Sequence, residues 1–455
     1  NGKLEWMSEY DYTNSPTIFT NTFMTGLAVA NSRGYKIASA DIDAAYLQSI
    51  GLDKELYMIL NKEITEQLLS NPGVDPEWKN FVRKDGTMMV KLDKGIYGLK
   101  ESARLWNHTL TGVFKDLGFN TCEADECLLS KGDLTGVIHV YIHVDDILFT
   151  YSSDALYKST IASLEVKFGK LKIQEGNTIK YLGLEINKCD NGDLTVNMNK
   201  FINKLLTEYD ISSGENIPAN NNIYESNGNS INTTKYKSLV AKLMYLATKL
   251  RYDILFSISF LATKSAEPSE SDWNSLIKVL RYIYDTKDKP LIFKSDENIN
   301  NINVYVDAAH ANHADSMGHS GYIIYLGDRK AGIYARAIKQ RINADASYDA
   351  ELIALNEAVK TTEHIALVLK HLDSRLKSSI TIHEDNLPAI TTILDKKACT
   401  TRSKAVNNRV QCCKARMKSY NMQIKHCPTE DMIADALTKV LPEKSFIRYR
   451  NLMLN

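Results

Sequence analysis

The chain has 455 residues, 55 Lys+Arg balanced by 55 Asp+Glu, with 44% hydrophobic and 24% charged residues. Enough apolar surface is present to build cores, so bulk disorder is excluded. A wholly basic nucleic-acid binder is excluded too, although zero net charge leaves a local basic surface open.

The length predicts two to four domains at about 100–200 residues each. No apolar run reaches the roughly 18–20 residues of a membrane span. The chain begins Asn1-Gly2-Lys3-Leu4, with neither an initiator Met nor a signal segment, and reads as a piece of something longer. Seven scattered cysteines contain no CxxC pair. An odd, scattered set fits a reducing compartment and argues against structural zinc.

In chain order, Tyr35 to Ile42 reads as a strand and Gly136 to Tyr151 as two strands with a tight turn. Asn199 to Leu206 has helical spacing. The Asn- and Ser-rich stretch 211–234 reads as a surface linker. Apolar residues from Tyr236 to Leu246 and from Trp273 to Ile283 recur at 3–4 spacing, and Ser269 or Ser271 after Pro268 supplies an N-cap. The rest offers strands at Ile302–Val306, Gly321–Leu326 and Ser379–His383, and a long helix from about Tyr348 to Leu372. Strands first and helices after suggest a sheet covered by helices.

Two sets of carboxylates stand out. Asp145 and Asp146 are adjacent between apolar strand-like runs, where a plain strand would bury one of them at high cost and a hairpin turn would expose both. Asp41 ends another apolar strand. Strand-borne carboxylates of this kind can converge on Mg²⁺, which takes hard oxygen ligands, and two such ions serve phosphoryl transfer. The second set is Asp307, Glu351, Asp385 and Asp435, at strand ends and helix starts. Each alone reads as a surface acid or an N-cap.

These residues carry a resemblance. Asp41 to Leu47, Lys94 to Trp106, His143 to Asp146, and Tyr181 to Ile186 are similar, in order and spacing, to the reverse transcriptase blocks of copia-type LTR retrotransposons. Tyr236 to Leu246 resembles the family's connecting helix. The blocks around Asp307, Glu351, Asp385 and Asp435 resemble its RNase H domain.

The resemblance implies an α+β multidomain fold. A reverse transcriptase palm, with the fingers largely missing, would occupy 1–210. A linker and helical thumb or connection would occupy 211–295, and an RNase H-like α/β domain 296–455. It implies an RNA-directed DNA polymerase with RNase H activity, copying element RNA into DNA and degrading the RNA of the hybrid.

Asp41, Asp145 and Asp146 would be the catalytic metal ligands of the first site. Asp307, Glu351, Asp385 and Asp435 would be those of the second, with two Mg²⁺ per site and Mn²⁺ as the substitute. Ile42, Tyr46, Gly98 and Lys100 would contact the nucleotide, Tyr46 as a steric gate against a 2′-OH. Leu182 and Gly183 would help hold the primer end. The implied partners are RNA template, DNA primer, RNA–DNA hybrid and dNTPs, with no membrane, and a homodimer or other Pol domains beside them. The implied location is a cytoplasmic virus-like particle, with a later nuclear stage.

The sequence also departs from the family. His143 stands for the Tyr of the YVDD box, Glu101 for a Gln, Ala309 and His310 for Asp-Trp, and Ala405 for a His. Few residues precede Tyr10, where the family's basic fingers belong. These departures support an alternative, a catalytically impaired nucleic-acid-binding fragment, and a weaker third reading of a nuclease alone. From Lys396 to Asn455 there are 13 Lys+Arg against 4 Asp+Glu. Arg402, Lys404 and Arg409 head a spaced basic series that reads either as a solvated face or as a phosphate contact.

Overall fold

The computed structural model describes residues 15–99, 101–295, 298–327, 331–376, 378–395 and 403–454. The first segment runs α1 (Thr20–Ser32), β1 (Lys36–Asp41), β2 (Gly51–Leu60), α2 (Lys62–Leu69), β3 (Met88–Lys94), α3 (Ser102–Asp116), β4 (Asn120–Thr121), β5 (Leu128–Asp133), β6 (Gly136–His143), β7 (Asp146–Tyr151), α4 (Asp154–Phe168) and β8 (Lys172–Gln174). Six of these strands form one antiparallel sheet in the order β4-β5-β6-β7-β1-β8, while β2 and β3 pair separately. The central strands are apolar on both faces because helices cover the sheet: Ile138, Val140, Ile147, Leu148 and Phe149 are all fully buried. Asp41 and Asp146 fall at the strand ends, where that burial relaxes.

A second sheet follows. Strands β9 (Thr178–Tyr181), β10 (Leu184–Lys188) and β11 (Leu194–Asn197) lead into α5 (Asn199–Glu208). Helices α6 (Thr233–Lys249), α7 (Leu255–Ala262) and α8 (Glu270–Thr286) then precede β12 (Leu291–Phe293), which pairs with β11 and completes a four-stranded sheet. Helical spacing gives no sign of this strand. Ser269 caps α8 through a reciprocal capping box with Asp272.

The stretch 211–234, read as a surface linker, is tied down. Ile223 is buried, the Tyr224 ring meets Phe260 edge-on, the Tyr224 hydroxyl accepts the Val440 N–H at 3.2 Å, and Ser230 bridges to Ser269. Its few apolar groups are enough to dock it.

The last segment is β13 (Asn301–Ala309), β14 (His319–Leu326), β15 (Gly332–Lys339), α9 (Ser347–Leu372), β16 (Ser379–Glu384), α10 (Leu387–Leu394), α11 (Lys404–Ser419), β17 (Met422–His426) and α12 (Glu443–Leu454). The sheet order is β15-β14-β13-β16-β17, with β16 parallel to both β13 and β17 and β14 antiparallel to its neighbours. Long α9 lies across β13 and β14. The last segment is thus a mixed sheet carrying helices, and it follows an antiparallel one.

The two sheets share α1. It touches β7 on one side and β15 and α9 on the other, and its residues from Asn21 to Asn31 are all buried. A helix buried all round needs small side chains where backbones approach. At Gly26 a Cβ would stand 2.1 Å from the Tyr141 hydroxyl oxygen, so only glycine lets α1 settle on β6.

Candidate active sites

The first site is built on the β6–β7 hairpin. Asp41 at the end of β1 stands in register opposite Asp146 at the start of β7, and His143 pairs with Asp146 across the turn. The two-residue turn Val144-Asp145 needs a left-handed first residue, and Val144 adopts φ +61°. A β-branched residue is strained there, so the surroundings must hold it. They do: the buried Trp106 donates its indole N–H to the Val144 carbonyl at 2.7 Å, and the Ile42 N–H donates to the Asp145 carbonyl at 3.3 Å. The expected hairpin therefore forms, and Asp41, Asp145 and Asp146 are all partly exposed at one edge. Burial and then the neighbouring Asp145 and Asp41 push the Asp146 carboxyl above its usual range.

Around this edge, Ile42 packs into the core, so its side chain faces away from the open cleft. Tyr46 lies half-buried against Tyr97, ring centroids 4.7 Å apart, and the nearby Asp145 adds to the burial that raises its phenol pKa. Gly98 takes φ +93°, and Lys100 lies outside the described residues. The β9–β10 turn, Leu182-Gly183, has both residues at positive φ, and the Tyr245 hydroxyl donates to the Leu182 carbonyl at 2.9 Å. Sequence reading missed Lys172. Its ammonium bonds Asp43 and lies 3.6 Å from Asp41, bringing a cation to the carboxylate edge from β8.

The second site is tighter. Carboxylate oxygens of Asp307, Glu351 and Asp385 all lie within 4.8 Å of one another. Among the described residues no other trio of acids, histidines or cysteines is that close, so the palm carboxylates form the more open set. Asp307 is near the end of β13, Glu351 is in the first turns of α9, and Asp385 directly follows β16.

Asp435 arrives on a short 3-10 turn, Ile433–Leu437, that lies on β13 and β14. Gly321 makes that approach feasible, since a Cβ there would meet Thr438 at 2.6 Å and Leu437 at 2.7 Å. The Thr438 hydroxyl donates to Asp307, and the Lys439 ammonium lies 2.8 Å from Asp435 and 3.8 Å from Asp307.

The four expected carboxylates thus meet, joined by a fifth. Glu384, the last residue of β16, is fully buried; its Oε1 accepts the Asn386 N–H at 3.1 Å, and its Oε2 has no partner among the described residues. Glu351 Oε2 is likewise buried and unpartnered. Burial, with Glu384 and Asp307 next in order, pushes the Glu351 carboxyl well up, and burial does the same to Glu384. Asp435 is raised to about 7 by burial and by Asp307. The ammonium of Lys439 is too little charge to balance five acids. Desolvated oxygens with unpartnered lone pairs fit a hard divalent cation. Asp385 was legible from its motif, but Glu384, Thr438 and Lys439 were not, because only the folded turn brings them inward.

On the basic stretch, Lys404 is exposed on α11 and Arg409 is partly buried there, donating to the Ala405 carbonyl at 3.1 Å, whereas Arg416 pairs with Glu363 at 2.8 Å and Lys414 donates to the Asp395 carbonyl at 2.8 Å. Arg402 lies outside the described residues.

Residues 6–221 match the family model described as reverse transcriptase (RNA-dependent DNA polymerase). Over 446 residues, 96% of the chain, the sequence is 27% identical to the retrovirus-related Pol polyprotein from transposon RE2 of Arabidopsis thaliana, of which it spans 29%. It is 28% identical over 327 residues to a putative transposon Ty5-1 protein of Saccharomyces cerevisiae, covering 70% of this chain and 99% of that one. Among solved structures, LC11-RNase H1 matches 33% of the chain (14% identity, TM-score 0.25), and a foamy viral protease–reverse transcriptase in complex with dsDNA matches 87% of it and 68% of its own chain (10% identity, TM-score 0.21).

Proposed function

With residues 6–221 matching the reverse transcriptase family and nearly the whole chain similar to retrotransposon Pol polyproteins, we propose that this chain is an RNA-directed DNA polymerase with RNase H activity. It spans about 29% of the length of the Arabidopsis relatives. The observation that carries the reading is the presence of two separate carboxylate centres. One stands on a strained palm hairpin and the other, tightly clustered, on a mixed sheet.

Asp41, Asp145 and Asp146 would hold divalent cations in the first centre, and Asp307, Glu351, Asp385 and Asp435 in the second. Mg²⁺ is the expected ion and Mn²⁺ its substitute. Bound cations supply charge neutralisation and an activated oxygen for in-line phosphoryl transfer. The chain's residues do the rest. Trp106 fixes the height of the hairpin through Val144. Tyr46, its ring tilted against that of Tyr97 and close to Asp145, bounds the space for the incoming sugar and excludes a 2′-OH. Tyr245 locks the Leu182-Gly183 turn, which supports the primer end. In the second centre Thr438 and Lys439 hold Asp307 and Asp435 in place. Lys404 and Arg409 offer phosphate contacts to the hybrid from α11.

The partners are RNA template, DNA primer, their hybrid and dNTPs, with a homodimer or further Pol domains as protein partners, in a cytoplasmic particle with a later nuclear stage. No helix among the described residues is long and apolar enough to cross a membrane.

Two assays separate the centres: extension of oligo(dT) on poly(rA), and cleavage of a labelled RNA–DNA hybrid, both with Mg²⁺. Asp145→Asn should abolish the first alone and Asp385→Asn the second alone. Tight hybrid binding without metal-dependent turnover in the unsubstituted protein would favour the non-catalytic alternative, for which Glu101 and Ala405 speak.

A further inference from the structure

A cleft of about 750 Å³ opens at the seam between the palm and the last domain, and no carboxylate of either centre lines it. Arg33, just past the end of α1, and Lys131 and His139, on β5 and β6, come from the palm. Lys370, His371 and Arg375, around the end of α9, come from the other side. Among the described residues, two carboxylates, Asp133 and Asp373, line the cleft against four cationic side chains.

Asp373 is buried, and its oxygens grip both guanidiniums: Arg33 NH2 lies 3.1 Å from Oδ2 and Arg375 Nε lies 2.9 Å from Oδ1. A guanidinium has five N–H donors, so each arginine is held in orientation and keeps donors to present. Lys131 is fixed as well, by a 2.7 Å bond to the Leu117 carbonyl.

Two imidazoles complete the lining. His139 is 2% exposed and uses Nδ1 on the Ser130 hydroxyl at 2.7 Å. Its Nε2, and that of His371, are buried without a hydrogen-bond partner among the described residues. A buried polar atom left unpaired costs free energy, and both of these belong to residues that line this one cleft. The volume is that of a small-molecule site.

We propose that this seam cleft binds a di- or triphosphate group, either free or as the tail of a nucleotide, clamped between the palm and the RNase H-like domain. A single carboxylate has two oxygens, too few for four cations and two imidazoles. A polyphosphate presents many tetrahedrally disposed acceptors that forked guanidiniums match. Because Arg33 and Lys131 belong to one domain and Lys370 and Arg375 to the other, the ligand tightens the seam.

Isothermal titration and thermal unfolding of the full chain in EDTA, where metal-dependent nucleotide binding is removed, test this with pyrophosphate, tripolyphosphate and dATP. Saturable binding that raises the unfolding temperature, and that weakens at least tenfold in a Lys370→Ala/Arg375→Ala variant, is the expected result. Tighter binding of dATP than of tripolyphosphate assigns the site to nucleotides, and the reverse order assigns it to free polyphosphate. Primer extension should be unchanged in Lys370→Ala, which keeps this test separate from that of the polymerase reading. Absence of saturable binding for all three probes, or equal affinity in the double variant, overturns the proposal.

Discussion

The ammonium of Lys439 lies 2.8 Å from Asp435 and 3.8 Å from Asp307, so a cation inside the acidic cluster grips the two acids on its 3-10-turn side. Asp307 is also one of the three acids whose oxygens lie within 4.8 Å of each other. Lys439 therefore competes with any cation that would share Asp307 and Asp435. In Lys439→Met, Mn²⁺ titration followed by calorimetry should show affinity rising tenfold or more, about the effect of ~1.4 kcal/mol of removed repulsion in a partly buried site. Unchanged affinity would mean that Lys439 lies outside the cation's reach.

The palm hairpin gives a second expectation. Trp106→Phe keeps an aromatic ring in the core but removes the N–H that holds the Val144 carbonyl. Losing such a bond costs about 0.5–1.5 kcal/mol, and here the loss falls on a strained turn carrying Asp145. Primer extension should drop by up to roughly tenfold while hybrid cleavage stays at the unsubstituted level. Equal loss of both activities would indicate general unfolding instead.

A buried ion pair anchors the connecting helices. Arg251 and Asp253 are both fully buried and joined at 2.9 and 2.8 Å; Arg251 also donates to Thr286, and the Tyr282 hydroxyl donates to Asp253 at 2.5 Å. Arg251→Met strands the carboxylate of Asp253 in the core, which should cost about 3–5 kcal/mol in denaturant unfolding. Replacing both, as Arg251→Met with Asp253→Leu, should recover part of that loss, because a buried pair is more harmful broken than removed.

Histidines set the acid limit of stability. Burial lowers His139 and His319 to about 3 and His313 to about 4. A depressed folded pKa means that the fold prefers the neutral ring. Its contribution is complete above the unfolded value near 6.5 and is lost as pH falls from there toward the folded values, by up to about 1.4 kcal/mol per pH unit for each ring. Glu351 and Glu384, with raised folded values, act in the opposite sense. Because the raised acids offset the histidines over the same range, the clean readout is the difference: between pH 7 and pH 5 the unfolding temperature of His139→Gln should fall less, or rise more, than that of the unsubstituted protein. A slope identical to that of the unsubstituted protein would contradict the assignment.

Much of this fold was legible locally. The apolar run around Asp145 and Asp146 specified a hairpin because a flat strand could not bury both faces of an Asp pair, and the long helix after Ala346 was written in its spacing. Other features depend on partners distant in sequence. Strand β12 is three residues long and exists only because β11, about a hundred residues earlier, offers an edge. Glu384 carries no signal of its own in the sequence, since nothing in a linear motif tells which way the last side chain of a strand turns. Lys172 and Lys439 reach their carboxylates through β8 and a 3-10 turn whose placement is tertiary.

The most direct measurement is the pair of assays on one protein preparation, with Asp145→Asn and Asp385→Asn compared against the unsubstituted chain in Mg²⁺. The account requires extension to vanish only with the first substitution and hybrid cleavage only with the second. Full activity in either substituted centre, or neither activity in the unsubstituted chain despite tight hybrid binding, would contradict it.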